Sequence, residues 1–225
     1  MSYNEQVSDS QELDLQQCIY FFNEEKFTEA IILGEALAQK LSTVPMVYEI
    51  LAAANLSLGN DGETIKYYRK LLRLNPNHAD AYNNLGKIYY EKGNFLKAIE
   101  NYQEAVKAEP SFADAHYNLA NSLKQIGKLK EAFHSYQASL EINPKDTEVL
   151  TIYGDALRDF GKFEKAIECY TKILKIAPNL AQIQSSLAIT SKEKVEIGTL
   201  LDKFLKDTQS ALDSKEAINF CGTIL

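Results

Sequence analysis

The chain carries little of what most catalytic, secreted or membrane-bound proteins are built from. It has 3 cysteines in 225 residues. Cys18, Cys169 and Cys221 stand too far apart to suggest a disulfide framework or a metal site. An odd, scattered set reads as reduced thiols serving as small apolar side chains, which implies a reducing, cytoplasmic compartment. Long apolar runs are missing: the greasiest early stretch, residues 30–38, is short and interrupted by Glu35, so no membrane span and no membrane partner are expected. Residues 1–11 are polar and acidic, unlike a secretory leader. A basic excess is also lacking. The 24 Lys and Arg are outnumbered by 31 Asp and Glu, for a net charge of -7. That excludes the basic stripe a nucleic-acid binder needs.

Constellations that carry chemistry are missing too. No glycine-rich phosphate loop exists, because Gly59, Gly93, Gly127 and Gly161 are evenly spread. His78, His116 and His134 are scattered, and no Ser or Cys has a His partner at a nucleophile spacing. Acidic pairs such as Glu24-Glu25 fall in turns or on solvated faces, without the closed pocket that general acid–base work requires. No catalytic residue, no metal site and no cofactor is expected.

What is present is an interval. Residues 79–112, ADAYNNLGKIYYEKGNFLKAIENYQEAVKAEPSF, contain two amphipathic helix patterns separated by Gly93-Asn94 and closed by Pro110. The glycines Gly59, Gly93, Gly127 and Gly161 recur every 34 residues. Pro76, Pro110, Pro144 and Pro178 keep that step, as do Ala98, Ala132 and Ala166, and the aromatics Tyr68, Tyr102, Tyr136 and Tyr170. Four columns in one register identify a repeat array of helix-turn-helix units. Positions within a unit are numbered below as slots, with Ala79 as slot 1 of the third unit.

Each column has a physical reason. Slot 8 is small (Ala52, Gly86, Ala120, Gly154) and slot 20 is alanine in the third to fifth units (Thr64 in the second), so that two helices can approach closely. The slot 15 glycine takes the left-handed conformation that ends the first helix. Aromatics at slots 11, 17 and 24 (Tyr89, Phe95 and Tyr102 in the third unit) fill the space between helices. The proline near slot 32 stops the second helix. His116 replaces a slot 4 aromatic and is assigned a packing role.

This pattern resembles the tetratricopeptide repeat family, whose signature of aromatic, Leu-Gly, Tyr, Ala, Phe/Tyr, Ala and Pro it follows. The resemblance implies an all-α fold, a right-handed α-solenoid or superhelix. The organisation read from the register is a polar lead-in at 1–10 and a degenerate N-terminal capping repeat at 11–44, with Glu25 at the glycine slot. Four regular repeats follow at 45–78, 79–112, 113–146 and 147–180, then a degenerate sixth repeat at 181–214 and the start of a seventh repeat or a capping helix at 215–225. The turn at Gly59-Asn60-Asp61-Gly62-Glu63 is expected to be looser than the others, since Asp61 stands where other units have Phe or Leu.

The resemblance also assigns slots 2, 5, 6, 9, 12 and 13 of the first helices to a concave wall. The residues taken as groove-forming and peptide-binding are Asn83, Asn84, Lys87, Tyr117, Asn118, Asn121, Lys124, Thr151, Asp155 and Arg158. Amides suit a groove that holds an extended peptide by its backbone, because each offers a donor and an acceptor. The family's clamp for chaperone carboxylate tails is not reproduced, since Glu148 and Ile152 stand where its cations belong. The segment PSFADAHYNLANSLKQIGKLKEAF is similar to the arrays preceding O-linked N-acetylglucosamine transferases, with Asn84 and Asn118 in their asparagine ladder. Gln16, Ile50, Ile152 and Ser186 break that ladder elsewhere.

The leading expectation is a non-catalytic protein- or peptide-binding scaffold that uses the concave groove. One alternative is an N-terminal recruiting arm of a larger enzyme, such as a glycosyl- or sulfotransferase. Another is a self-assembling oligomer that associates through terminal helices, with Ile218, Phe220, Ile224 and Leu225 as an apolar end.

Overall fold

The computed structural model describes the backbone of residues 8–222, with side chains through Lys206 and at Gln209. Met1 to Val7, and the side chains of Ile218, Phe220, Cys221, Ile224 and Leu225, lie outside the described residues. The described chain is helical throughout, in eleven helices: α1 (Asp9–Asn23), α2 (Phe27–Lys40), α3 (Pro45–Ser57), α4 (Asp61–Leu74), α5 (Ala79–Glu91), α6 (Phe95–Ala108), α7 (Ala113–Gln125), α8 (Leu129–Ile142), α9 (Thr147–Asp159), α10 (Phe163–Ile176) and α11 (Ala181–Gly222). None of the described helices is long and apolar enough to cross a membrane. The chain forms two compact units, Met1–Ile142 and Asn143–Leu225.

In the first unit, α1 to α8 form four hairpins, and each helix packs on the next in sequence. The turns explain why. Gly93 has φ of 72°. Its N–H donates to Tyr90 O at 2.9 Å, and the N–H of Asn94 reaches back to Tyr89 O at 2.8 Å. This pair of bonds closes the first helix and needs a left-handed residue between them. Gly59 and Gly127 repeat it with φ of 72° and 77°. The first hairpin makes the same turn without glycine: Glu25 is held at φ 58°, with its N–H on Phe22 O and that of Lys26 on Phe21 O. The degenerate repeat therefore keeps the family geometry at the cost of a side chain in a conformation that disfavours one.

The turn around Gly59 is not looser than the others. It carries the same two return bonds, Asn60 donates its side-chain amide to Asn55 Oδ1 at 3.2 Å, and Asp61 pairs with Lys92 of the next hairpin at 2.5 Å. An aspartate loses the apolar contact a Phe or Leu would make there, but gains a cation from the following turn.

Small and large residues interlock at the contact between the two helices of a hairpin. A Cβ added to Gly86 would sit 2.5 Å from the Tyr102 ring, so the ring occupies the space the glycine leaves. Leu71, Ala98 and Ala105 are fully buried. Cys18 is buried as well, and its Sγ–H donates to Ala30 O at 3.3 Å.

In the second unit, α9 and α10 repeat the hairpin, with Gly161 at φ 70° and Gly154 against the Tyr170 ring. Then the pattern changes. A sixth hairpin over 181–214 would have to turn near residue 195, but α11 runs through that point as one helix. Slot 15 is Val195, and a β-branched side chain resists the left-handed conformation that the turn demands. No proline or glycine pair interrupts the helix nearby, so the helical path continues.

Candidate functional site

The first helices α5 and α7 carry the polar wall of the first unit. The second-helix tyrosines Tyr68, Tyr102 and Tyr136 rise through the packing towards it, each at most 3% exposed. Tyr68 OH accepts the side-chain N–H of Asn84 at 2.9 Å. Tyr136 OH donates to Asn121 Oδ1 at 2.5 Å. In the second unit Tyr170 OH donates to Asp155 Oδ1 at 2.7 Å. Tyr102 alone of this column makes no hydrogen bond among the described residues. Slot 9 of its repeat is Lys87, a donor, where the next two repeats offer the acceptors Asn121 and Asp155.

Tyr102 instead lines a cleft of about 210 Å³ together with Lys87, Tyr90, Glu91, Asn118 and Asn121. Burial, and then the nearby Tyr90 and Glu91, push its phenol well above the usual tyrosine range, so it is a proton donor at any physiological pH. Tyr90 OH accepts from Gln125 Nε2 at 3.4 Å, and its ring meets Phe95 edge-on at 5.3 Å. With Asn121 Oδ1 engaged by Tyr136, the amide N–H group is the part of the Asn121 side chain left to donate. The cleft thus gathers two phenols, an ammonium and two carboxamides around one small space, with Glu91 as the carboxylate of its lining.

Of the residues expected from the sequence, Lys87, Asn118 and Asn121 come together here. Asn83 does not face solvent. It is 3% exposed and its Oδ1 accepts from Asn118 Nδ2 at 3.0 Å, so slot 5 links α5 to α7 from within. Asn84 is engaged with Tyr68, and the Tyr117 ring stacks at a tilt 6.1 Å from that of Tyr136. Lys124 is exposed and outside the cleft lining. In the second unit, Thr151 Oγ1 donates to Thr147 O at 2.7 Å within its own helix, and Arg158 lies 3.7 Å from Asp159 Oδ1 and 4.0 Å from Asp155 Oδ1. Tyr102 is the lining residue that sequence reasoning assigned wholly to packing. The signal that could have found it is the lysine at slot 9 of its own repeat.

The histidines play local roles. His78 caps α5, its Nδ1 accepting from Ala81 N–H at 3.2 Å, with Nε2 3.4 Å from Glu49. His116 Nε2 lies 3.0 Å from Pro110 O.

Profiles described as TPR repeat match residues 54–93 and 86–127, and profiles described as tetratricopeptide repeat match 113–146 and 147–180. Together they span more than half of the chain. The chain belongs to the tetratricopeptide repeat family. As an all-α repeat array of this family it is a protein-interaction scaffold. No curated protein matches it by sequence. Solved structures with the same fold include MamA from Desulfovibrio magneticus RS-1, with a TM-score of 0.68 and 19% identity over 78% of this chain and 99% of that one. YrrB, described as a TPR protein with an unusual peptide-binding site, gives a TM-score of 0.63 and 19% identity over 80% of this chain and 90% of that one. Pseudomonas aeruginosa pilF gives 0.65 and 17% identity over 87% and 92%. At these identities the likeness of this tetratricopeptide repeat chain to each is one of fold.

Proposed function

We propose that this protein is a non-catalytic scaffold that holds an extended peptide or protein segment along α5 and α7, with the Tyr102 cleft as the point where the ligand is read. One observation carries the reading. The Tyr102 side chain is buried but its hydroxyl opens onto the cleft with no hydrogen bond among the described residues, while its counterparts Tyr68 and Tyr136 are bonded. Such a donor gains most from a ligand acceptor, because an unmade hydrogen bond in a site closed by ligand costs about 1–3 kcal/mol. A peptide carbonyl or side-chain oxygen placed there would accept from Tyr102, with Lys87 and the Asn121 amide as further donors. The YrrB structure supports the reading at the level of fold, as a repeat array of this kind described with a peptide-binding site. The buried thiols Cys18 and Cys169 suit a reducing, cytoplasmic setting.

The test starts with a peptide selected on the full chain from a random displayed library. Its affinity is then measured by fluorescence anisotropy for the wild type and for Tyr102→Phe with Lys87→Ala. Binding should weaken by about tenfold or more, the equivalent of one lost hydrogen bond to a charged or polar group, while the melting temperature holds. Equal binding by the double variant would remove this cleft from the recognition surface.

A further inference from the structure

The inner wall of the first unit changes character towards its N-terminal end. The Tyr102 cleft lies between slots 9 and 12 of α5 (Lys87, Tyr90) and slots 6 and 9 of α7 (Asn118, Asn121). Two repeats earlier the same four slots, on α1 and α3, are Ile19, Phe22, Ile50 and Ala53, and they line a cleft of about 240 Å³ with Met46 and Glu49. The positions are equivalent and the chemistry is opposite. Met46 is 46% exposed, and Ile19, Phe22 and Ala53 are half-buried. Single exposed apolar residues need no cover, but a contiguous group framed by polar ones marks a contact surface. Glu49 stands at the edge, its side chain 49% exposed, and pairs with His78 Nε2 at 3.4 Å. Helices α1 and α3 carry Asp9, Glu12, Asp14 and Glu49 but no Lys or Arg.

We propose that this cleft anchors the bound segment by one bulky apolar side chain (Leu, Ile, Met or Phe) beside a Lys or Arg that faces Glu49. The inference rests on the reading that an extended segment lies along this wall, and it names the chemistry of that segment. Size selects a single side chain, because drug-sized ligands fill about 300–1,000 Å³, more than this cleft holds. Charge selects the flanking residue. The charged residues of α1 and α3 are all carboxylates, so a ligand cation is drawn to this end of the wall and adds a partner to Glu49. A second copy of the chain, with its net charge of -7, would bring acidic surface to acidic surface. The two clefts then divide the work. The apolar one supplies affinity by burial, and the Tyr102 cleft reads a polar group through hydrogen bonds.

The experiment selects peptides on the full chain from a random displayed library and measures the selected sequences, as synthetic peptides, by fluorescence anisotropy. They should share a bulky apolar residue next to Lys or Arg. Replacing that apolar residue with Ser in the peptide, or filling the cleft with Ala53→Phe in the protein, should each weaken binding by about tenfold or more. Met46→Ser, at an exposed position, should weaken it by about threefold. Glu49→Gln should cost up to about fivefold for the Lys or Arg peptide and nothing for its Gln counterpart; an equal loss for both would overturn the role of Glu49. Selected peptides without the apolar residue, or full affinity in both Ala53→Phe and Met46→Ser, overturn the proposal. So does a dimer in light scattering that these two variants dissociate, since a second copy would then fill the cleft. The two readings fail separately. Full affinity in these variants, with loss in Tyr102→Phe with Lys87→Ala, removes the apolar anchor alone, and the reverse pattern removes only the Tyr102 cleft.

Discussion

At the scale of single residues, the turn position of each hairpin fixes a backbone conformation first and a side chain second. Glu25 and Gly93 occupy equivalent places, at φ 58° and 72°. A residue with a Cβ pays about 1–2 kcal/mol for the left-handed region, while glycine loses extra chain entropy on folding. Opposite outcomes are therefore expected from exchanging them. Glu25→Gly should raise stability by up to about 1 kcal/mol. Gly93→Val should lower it by about 1 kcal/mol or more. Chemical denaturation of both variants measures the two signs, and a loss of stability in Glu25→Gly would refute the account of the first turn. The turn glycines were legible from spacing alone. The left-handed glutamate was not, because what holds it there is the pair of return bonds made by its own N–H and that of Lys26. Tyr102 was legible as packing but not as a cleft donor, since its role depends on what slot 9 of its repeat fails to offer. Asn83 was misplaced for a related reason: a carboxamide looks solvent-facing until the next repeat supplies Asn118.

At the scale of helices, the ends are set by caps of differing quality. Asp146 accepts the N–H groups of both Glu148 and Val149, at 3.0 and 3.1 Å, and opens α9. Asn94 does the same for Lys97 N–H at 3.2 Å at the start of α6. Asp146→Ala should cost about 1 kcal/mol, within the range for a lost side-chain cap. The size of the drop is read from urea denaturation, and no change would mean that water replaces the cap. Element order and hairpin pairing were readable wherever the glycine and proline columns persist. They failed at α11, where slots 7, 8 and 24 keep the repeat pattern but Val195 removes the means of turning. Apolar periodicity alone cannot distinguish a hairpin from a straight helix, because both satisfy it until a partner is chosen.

At the scale of the molecule, several protons are held by burial in the first unit. The Cys18 thiol is pushed up to about 11, and the Tyr67 and Tyr68 phenols up to about 12, chiefly by desolvation. The folded state thus keeps protons that the unfolded chain would release near 9 for the thiol and 10 for the phenols. The resulting stability is complete below pH 9 and drains away as pH rises towards 12. Thermal melts should hold level from pH 7 to 9 and then fall steadily. A melting temperature unchanged at pH 12 would mean that these groups are far more open to water than the packing implies.

Within each unit the helices pack on their immediate successors and on little else. There is accordingly no keystone whose loss brings down the rest of a unit. A flaw in one rung is felt by the rungs beside it and fades beyond them, so an altered ligand surface on α5 or α7 can be acquired without renegotiating the whole ladder.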